Sequence, residues 1–306
     1  PREAEEAIER ACQRAAAGVV ERIRAARLDD DAGRRYFASM LEDPTLDVDL
    51  EGFRVVLDCA NGAVGAIALP PAFYNLGVQA SFLANEPDGF NINEACGATD
   101  PEAMRREVVR RGADLGFSFD GDGDRVILAD EEGGLVDGDS MLAILALDLA
   151  ARGQLSVPIV VGTVLSNFGL EKCLAAHGIE LVRTPVGDRH VAEKMAETGA
   201  LLGGEPSGHI VFGDRQGLLT GDGLYTALRV LAVIARTGSS LAQLASVCQA
   251  VPQIQLAVPI RERIPFEDVP AVAKELKNAR RALGKNGRVL LRYSGTEDVA
   301  RVMVEG

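Results

Sequence analysis

The sequence predicts an α/β fold: two successive α/β domains followed by a small α+β C-terminal domain with an antiparallel sheet. Short apolar runs alternate with helix-like segments from residue 53 to about residue 250, and turn residues separate them. After residue 252 the pattern changes to three strand-like segments around one helix, which is typical of an antiparallel sheet. At 306 residues and 47% hydrophobic composition, the chain can bury cores for more than one domain.

The N-terminal segment, residues 2–27, is rich in Ala, Glu and Arg and predicts a helix. Its apolar residues at roughly helical spacing are Ile8, Ala11, Cys12, Val19 and Ile23. The aspartates at 29–31, followed by Gly33, are expected to end this helix. We assign residues 1–36 to an N-terminal helix and linker.

The first α/β domain is assigned to residues 37–138. Asp100 and Pro101 are expected to cap its second helix, with proline in the first turn. The predicted elements are a buried strand at 53–58, a helix at 63–76 ended by Gly77, a strand at 78–84, a helix up to residue 111, and strands at 113–119 and 125–128.

The second α/β domain, residues 139–252, repeats this rhythm, and residues 253–306 form the C-terminal domain. The recurrence favours two related modules, although their sequences differ too much to count as a repeat. The predicted helices are 140–151, 168–177, 189–198, 223–236, 241–250 and 268–283, and the predicted strands are 158–163, 179–184, 200–203, 253–259, 287–292 and 301–305.

The loop between the last two strands of the first domain is the most informative motif in the chain. It reads Ser-Phe-Asp-Gly-Asp-Gly-Asp-Arg-Val from residue 118, so Asp120, Asp122 and Asp124 alternate with glycines and Arg125 follows. Three carboxylates this close repel one another unless a cation lies among them, and oxygen ligands suit Mg²⁺. A helix-flanked calcium loop would have glycine at its sixth position, where this chain has Arg125. A solvated acidic turn is the other alternative, but the strand-like flanks favour a Mg²⁺ site.

The acidic balance limits the classes of partner. With 32 basic and 45 acidic residues the formal charge is −13, so we expect neither a nucleic-acid nor a membrane surface. The five cysteines are odd in number and form no Cys-x-x-Cys pair, which favours reduced thiols in a cytoplasmic protein over a zinc site or disulfide framework. No apolar run approaches the roughly 18 residues of a membrane span, and the N-terminus does not resemble a signal peptide.

Two further loops carry candidate binding residues. In the run Gly-Gly-Glu-Pro-Ser-Gly-His from residue 203, Glu205 and Ser207 can hydrogen-bond vicinal sugar hydroxyls, and His209 can contact substrate or carry a proton. The run Arg-Tyr-Ser-Gly-Thr-Glu from residue 292 can form an anion nest, with a plain hairpin turn as the alternative. Its candidate phosphate ligands are Arg292, Ser294, Gly295, Thr296 and Arg301.

Two other turns are given mainly structural interpretations. In the turn at 185–190, Asp188 is expected to cap the following helix, which leaves Arg189 and His190 facing a cleft. The turn at 58–63 follows the first strand and opens a helix. A phosphate could bind there, but we favour a structural turn with Cys59 in the core.

Taken in order, the acidic loop and the loops at 204–209 and 292–297 resemble the metal, sugar and phosphate loops of the α-D-phosphohexomutase family. The resemblance extends from about residue 29 to residue 306. The runs Pro-Asp-Gly-Phe-Asn-Ile-Asn at 87–93 and Cys-Gly-Ala-Thr-Asp-Pro-Glu at 96–102 are most similar to the branch that interconverts glucosamine 6-phosphate and glucosamine 1-phosphate for cell-wall precursors. Family members have four domains around one cleft, so this chain would hold domains 2 and 3 and most of domain 4.

The resemblance implies a phosphoserine mechanism. A phosphoserine in the family's first domain gives its phosphate to the sugar, and a bisphosphorylated intermediate then returns the other phosphate. Mg²⁺ on the three aspartates would bridge the phosphoserine, and Arg125 and His209 would be the catalytic candidates. Glu205, Ser207 and Arg189 would bind the sugar, while the loop at 292–297 and Arg301 would bind the phosphate that is not being transferred.

The chain departs from the family pattern in ways that bear on activity. Its three histidines follow Ala176, Arg189 and Gly208, so the family's Ser-His-Asn segment is absent. The chain is therefore expected to be a fragment without its first domain and nucleophile, inactive alone. Pro206 and His190 stand where this branch usually has Gln and Tyr. Two alternatives stay open: a non-catalytic homologue that binds sugar phosphates, and a phosphoglucomutase or phosphomannomutase.

Overall fold

The computed structural model describes residues 2–15, 31–67, 73, 75–213, 219–295 and 297–306. It divides into two units, residues 1–32 and 33–306. In the first unit, helix α1 spans Arg2–Ala15, and Arg10 pairs with Glu6 one turn away at 3.6 Å. The rest of the helix predicted up to residue 27 lies outside the described residues.

Helix α2 spans Ala32–Leu41, where the sequence was interpreted as the end of a helix. Gly33 is buried in its first turn and so lies within this helix, whereas the end of the first helix lies outside the described residues. Gly33, Phe37 and Met40 recur at intervals of four and three residues and form the buried face.

The first sheet has the strand order β2-β1-β3-β4-β5. Strand β1 is parallel to β2 and β3, whereas β4 is antiparallel to β3 and β5. The elements of this domain are β1 (Arg54–Asp58), α3 (Ala63–Ile67), β2 (Gln79–Leu83), α4 (Glu102–Arg111), β3 (Leu115–Phe119), β4 (Val126–Asp130) and β5 (Leu135–Val136). Pro101 is the N-cap of α4 and no side chain caps it, so the predicted capping role of Asp100 is wrong.

The second sheet has the order β7-β6-β8-β9, with β6 parallel to β7 and β8 and β9 antiparallel to β8. This is the order and direction of the first four strands of the first sheet, which supports two related modules. The elements are α5 (Gly138–Ala151), β6 (Ile159–Thr163), α6 (Phe168–Ala176), β7 (Glu180–Thr184), α7 (Asp188–Thr198), β8 (Leu202–Gly204), β9 (Ile210–Phe212), α8 (Gly223–Thr237) and α9 (Leu241–Ala245).

The third sheet is antiparallel throughout, in the order β10-β12-β11. Its strands are β10 (Gln253–Pro259), β11 (Arg288–Tyr293) and β12 (Val299–Glu305), with helix α10 (Pro270–Leu283) between the first two in sequence. The predicted fold class, two α/β domains and a small domain with an antiparallel sheet, is confirmed.

Helices α5 and α8 fix the position of the two modules. Both are buried along most of their length and belong to one apolar cluster with strands of the first and second sheets. Burial of such continuous apolar surface holds the modules as one body and so fixes the loops at their edges. None of the helices in the described part of the chain combines the length and apolar character that crossing a membrane requires.

A disulfide joins Cys173 of α6 to Cys248, with their Cα atoms 5.4 Å apart. The expectation of reduced thiols throughout is therefore wrong for this pair. The two cysteines lie 75 residues apart in the sequence, so the fold brings them together and their spacing gives no signal. Cys59 is free and buried, as the sequence predicts.

Candidate active site

The acidic loop, residues 120–125, connects β3 to β4 at the carboxyl end of the parallel strands. Phe119 pairs with Val126, so the loop closes a hairpin between two antiparallel strands. Gly123 has a φ of +79°, a left-handed conformation that residues with a side chain rarely adopt. The turn brings one oxygen from each of Asp120, Asp122 and Asp124 to within 4.8 Å of one another. The three carboxylates therefore converge on one point.

Asp120 is the buried member of this triad. Its Oδ1 accepts hydrogen bonds from the backbone N–H groups of Gly123 at 3.2 Å and Arg125 at 3.1 Å. Burial raises the pKa of Asp120 to about 6; the Arg125 N–H opposes the rise, and the carboxylates of Asp124 and Asp122 add to it. A cation bound among the three groups would favour their charged forms.

Asp124 provides the test of whether the loop fits a metal ion. Its Oδ1 is buried and has no hydrogen-bond partner among the described residues, although buried carboxylate oxygens normally have a donor. Arg125 Nε lies 3.6 Å from this oxygen and 3.7 Å from Asp120 Oδ2. Carboxylate oxygens are the ligands that Mg²⁺ prefers, and Mg²⁺ usually keeps other positions for water or phosphate. The residues present therefore fit Mg²⁺.

His209 lies behind the acidic loop. His209 is only 4% exposed, and its Nδ1 is 3.1 Å from Asp124 Oδ2. Gly221 packs against the ring so closely that a Cβ there would lie 2.3 Å from His209 Cε1. The sequence suggested a contact with substrate or a proton-carrying role, whereas the structure places this imidazole against a candidate metal ligand. Such a contact orients the carboxylate.

The acidic loop and the sugar loop, residues 205–209, occupy equivalent positions, because each joins the third and fourth strands of its sheet. Backbone hydrogen bonds hold both loops. Val126 N–H, at the start of β4, donates to the carbonyl oxygen of Gly208 in the sugar loop at 3.2 Å, and Gly223 N–H, at the start of α8, donates to the carbonyl oxygen of Gly123 in the acidic loop at 2.9 Å. A Cβ on Gly223 would lie 2.6 Å from the Arg125 carbonyl oxygen. The start of α8 therefore supports the acidic loop through close backbone contact.

A cavity of about 470 Å³ opens beside both loops. Its walls come from the two loops, the first turn of α5, the segment after β6, and the start of β10. The lining residues are Arg125, Asp137, Asp139, Thr163, Leu165, Asn167, Val186, Glu205, Pro206, Ser207, Ala250, Gln253 and Gln255. The structure thus brings Arg125, Glu205 and Ser207 to one space.

Glu205 is held in the cavity wall by the turn before α7. Its Oε1 accepts a hydrogen bond from Gly187 N–H at 2.9 Å. Gly187 is the N-cap of α7 and Asp188 is its first residue, so the predicted capping role of Asp188 is wrong. Arg189 lies in the same first turn, where its Nε contacts Glu193 at 2.9 Å, and it is not among the described lining residues of the cavity. Ser207 is exposed.

The predicted phosphate ligands lie on the third sheet. Arg292 and Arg301 are register partners on β11 and β12, so their side chains share one face. Arg301 donates to Glu297 at 2.6 Å, and its Nε is buried without a hydrogen-bond partner among the described residues. This N–H is a donor that no described residue satisfies.

The rest of this phosphate loop is only partly described. Ser294 is buried, and its Oγ accepts a hydrogen bond from Glu297 N–H at 3.3 Å. Gly295 is exposed, and the prediction for Thr296 lies outside the described residues. Within the described part of the chain, the phosphate loop does not line the 470 Å³ cavity.

Asp139 is a cavity residue that sequence reasoning missed. Its side chain is buried, its Oδ2 accepts a hydrogen bond from Asn167 N–H at 2.6 Å, and its Oδ1 has no partner among the described residues. Burial raises its pKa to about 7, while the hydrogen bond from Asn167 N–H opposes the rise and the carboxylate of Asp137 adds to it. One signal in the sequence was the Asp-Gly-Asp run at 137–139, which repeats part of the acidic loop.

A larger cavity, about 580 Å³, lies near the amino ends of β1 and β2. Its arginines already have acidic partners: Arg54 pairs with Asp114 at 3.4 Å, and Arg110 and Arg111 share Glu107. The chemistry-bearing residues predicted from the sequence are at the other end of the sheet. We therefore take the smaller cavity as the candidate active site.

Family models match three consecutive parts of the chain. Residues 34–134 match phosphoglucomutase/phosphomannomutase alpha/beta/alpha domain II, residues 137–251 match alpha/beta/alpha domain III, and residues 254–306 match the C-terminal domain.

Two relatives with high sequence identity are both named phosphoglucosamine mutase. The phosphoglucosamine mutase of Anaeromyxobacter dehalogenans is 49% identical over 285 residues, which cover 93% of this chain and 62% of the relative. That of Myxococcus xanthus is 44% identical over 283 residues, covering 92% and 61%. The chain thus spans about three fifths of the length of these relatives.

Two solved structures share the fold. A phosphoglucomutase/phosphomannomutase family protein from Burkholderia thailandensis superimposes with a TM-score of 0.71 at 24% identity, covering 90% of this chain and 60% of the other. The Aspergillus fumigatus N-acetylphosphoglucosamine mutase in complex with GlcNAc-6P and magnesium gives 0.70 at 22% identity, covering 90% and 66%. At these identities the likeness concerns the fold alone.

Proposed function

Because the chain belongs to the phosphoglucomutase/phosphomannomutase family, we propose that it is the metal- and sugar-binding part of a phosphoglucosamine mutase. Such an enzyme interconverts glucosamine 6-phosphate and glucosamine 1-phosphate by phosphoryl transfer. The observation that carries the proposal is the shared cavity, lined by Arg125 of the acidic loop and by Glu205 and Ser207 of the sugar loop. Identities of 44–49% to phosphoglucosamine mutases support the amino sugar as substrate.

In this proposal Asp120, Asp122 and Asp124 hold Mg²⁺. When bound, the ion supplies positive charge that offsets the charge of the transferring phosphoryl group. The chain's own residues hold the acidic loop in place, because His209 orients Asp124 and the start of α8 supports the loop backbone. Arg125 lies both beside the triad and in the cavity wall, so its guanidinium can donate to the phosphoryl oxygens. His209 is then a positioning residue.

The sugar and the second phosphate are assigned to the other two loops. Glu205, oriented by Gly187 N–H, accepts hydrogen bonds from sugar hydroxyls together with Ser207, and Arg189 adds positive charge nearby. The phosphate at the other end of the sugar is bound by Arg292, Ser294, Gly295, Thr296 and Arg301. The unpartnered Arg301 Nε supports this assignment.

The domain boundaries at residues 37, 139 and 253 belong to the same proposal. Family-model matches that begin at residues 34, 137 and 254 support them. A cytoplasmic location is also proposed, since phosphorylated sugars carry charge that opposes passage through a bilayer.

The proposed chemistry requires a phosphoserine from outside the printed chain, which has no Ser-His-Asn segment. The bond from phosphorus to the serine oxygen breaks as a bond to a sugar hydroxyl oxygen forms, and the proton of that hydroxyl ends on the serine. The resulting bisphosphorylated sugar returns its other phosphate by the reverse step. A second candidate is a homologue that binds sugar phosphates without turning them over.

A coupled assay on the full product of the gene tests the function. We expect turnover of glucosamine 1-phosphate with a higher kcat/KM than for glucose 1-phosphate, and loss of turnover in Asp122→Asn. A higher kcat/KM for glucose 1-phosphate would contradict the amino-sugar substrate. Calorimetric binding of glucosamine 6-phosphate without any turnover would establish the non-catalytic homologue instead.

A further inference from the structure

We propose that Asp139 binds the ammonium group of the amino sugar and so sets the preference for glucosamine phosphates over neutral hexose phosphates. This inference rests on the proposed function, since it names a specificity residue for the same cavity. Asp139 belongs to neither the acidic loop, nor the sugar loop, nor the phosphate loop.

The first support is an unsatisfied carboxylate oxygen. Asp139 is 6% exposed, and its Oδ1 has no hydrogen-bond partner among the described residues. A buried polar atom without a partner is unfavourable, and native proteins rarely keep one that nothing else satisfies. Asp139 also lines the cavity, so a ligand bound there can bring the donor that Oδ1 lacks.

The second support is the charge of the cavity wall. Its described acidic residues are Asp137, Asp139 and Glu205, against Arg125 as the one described cation. Asp137 and Glu205 already accept hydrogen bonds, from Ser140 N–H at 2.9 Å and from Gly187 N–H at 2.9 Å. An acidic wall with one unpartnered oxygen favours a cationic donor, and the ammonium of glucosamine is the group that distinguishes this sugar from glucose.

Arg183, a cation that lowers the pKa of Asp139, does not already neutralise this carboxylate. Arg183 Nη1 donates to the carbonyl oxygens of Ser166 at 2.6 Å and Thr163 at 3.2 Å, and its other nitrogens contact Glu171. Its guanidinium is thus engaged by these groups, and its effect on the pKa of Asp139 is smaller than that of the Asn167 hydrogen bond.

The carboxylate is also held in place, as a specificity residue must be. Asn167 N–H fixes Oδ2, and the Asn167 side chain is itself clamped to Val251 by two hydrogen bonds, of 2.9 and 3.1 Å. A preorganised acceptor needs little further ordering when the ligand arrives.

Calorimetry on the chain with two probes, glucosamine 6-phosphate and glucose 6-phosphate, at pH 7 with Mg²⁺ tests the inference. We expect wild type to bind the amino sugar roughly tenfold more tightly, as a charged hydrogen bond allows. In Asp139→Asn the ratio should fall to about one, while the affinity for glucose 6-phosphate changes by less than about twofold. Asp139→Ser serves in the same way if the asparagine variant does not fold.

Asp137→Asn is the matched control. It removes one negative charge from the same wall, and asparagine preserves the helix cap, so the ratio should fall by much less than in Asp139→Asn. An unchanged ratio in Asp139→Asn, an equal loss for both sugars, or no preference in wild type would each overturn the inference while leaving the proposed function standing. If wild type binds neither sugar phosphate, the proposed function itself fails.

Discussion

At the scale of single residues, the acidic loop depends on contacts that reach it from the second module. One oxygen of Asp124 accepts no hydrogen bond from the described residues and has Arg125 Nε at 3.6 Å, while the other contacts His209 Nδ1 at 3.1 Å. The imidazole is buried, and Gly221 packs against it, so it cannot turn away. The first oxygen of Asp124 is therefore held in one orientation, which favours the binding of a cation.

Replacing His209 should weaken the metal site without abolishing it. In His209→Ala we expect Mn²⁺ or Mg²⁺ affinity to fall roughly tenfold, the lower end of the effect of losing an outer-sphere partner. Calorimetric titration measures this. His177→Ala, which removes an exposed histidine at the end of α6, should leave the affinity unchanged. Equal metal affinity in His209→Ala and wild type would contradict the positioning role.

Because the pKa of Asp139 is raised, we expect the stability of the folded state to depend on pH. Burial raises its pKa to about 7, whereas the ordinary value is 3.8, so the folded state binds this proton more tightly than the unfolded chain. The contribution of the protonated carboxyl to stability is full below about pH 4 and is lost as pH rises to about 7.

Asp139→Asn cannot ionise at this position, so the stability of wild type minus that of the variant should fall between about pH 4 and pH 7 and then level off. Urea unfolding of both proteins at pH 5, 6, 7 and 8 measures this difference. A difference that stays constant across the series would show that Asp139 keeps an ordinary pKa.

Site residues could be predicted from the sequence when they lie close together along the chain. Asp120, Asp122 and Asp124 could be identified as a metal triad because their chemistry is written in consecutive residues. The contact between His209 and Asp124 spans 85 residues and depends on the packing of two modules. Asp139 was missed for the same reason, since only the fold shows that one of its oxygens is buried and unpartnered.

At the scale of elements, the two modules place equivalent loops side by side. Each loop connects the third and fourth strands of its sheet, and Val126 N–H joins them by donating to Gly208 at 3.2 Å. Helix α8 begins directly under the acidic loop, where Gly223 N–H donates to Gly123. The spacing between the metal and sugar loops is thus set by backbone contacts at glycines.

A side chain at Gly223 should move the acidic loop. In Gly223→Ala the Cβ would lie 2.6 Å from the Arg125 carbonyl oxygen, so we expect about 1–3 kcal/mol of destabilisation and weaker metal binding. Gly153→Ala is the control, because its Cβ meets nothing within 4 Å while its φ of +66° strains the backbone. The control should lose stability but keep its metal affinity. Unchanged metal affinity in Gly223→Ala would contradict the supporting role of α8.

Element prediction succeeded where the apolar pattern was long and failed where it was short or interrupted. Strands such as β1 and β6 were found because continuous apolar runs mark buried parallel strands. Strand β9 was missed because it has only three residues directly after the sugar loop. Helix α2 was missed because Gly33 was interpreted as a helix breaker, although Gly33, Phe37 and Met40 carry a helical periodicity.

At the scale of the whole molecule, the buried helices α5 and α8 unite the first two sheets, and the candidate cavity lies where both modules and the third sheet meet. Arg125 belongs to both parts of this site, being within 3.7 Å of the triad and also in the cavity wall. In the proposed enzyme the metal ion and the sugar phosphate therefore occupy one site.

Paramagnetic relaxation tests that claim most directly. Mn²⁺ accepts the same oxygen ligands as Mg²⁺ and broadens the ³¹P signal of a phosphate bound close to it. With glucosamine 6-phosphate as ligand, we predict strong Mn²⁺-dependent broadening in wild type and its loss in Asp122→Asn, while calorimetry shows that the variant still binds the sugar phosphate. Sugar phosphate that binds wild type without broadening, or broadening that persists in Asp122→Asn, would contradict a shared site at the acidic loop.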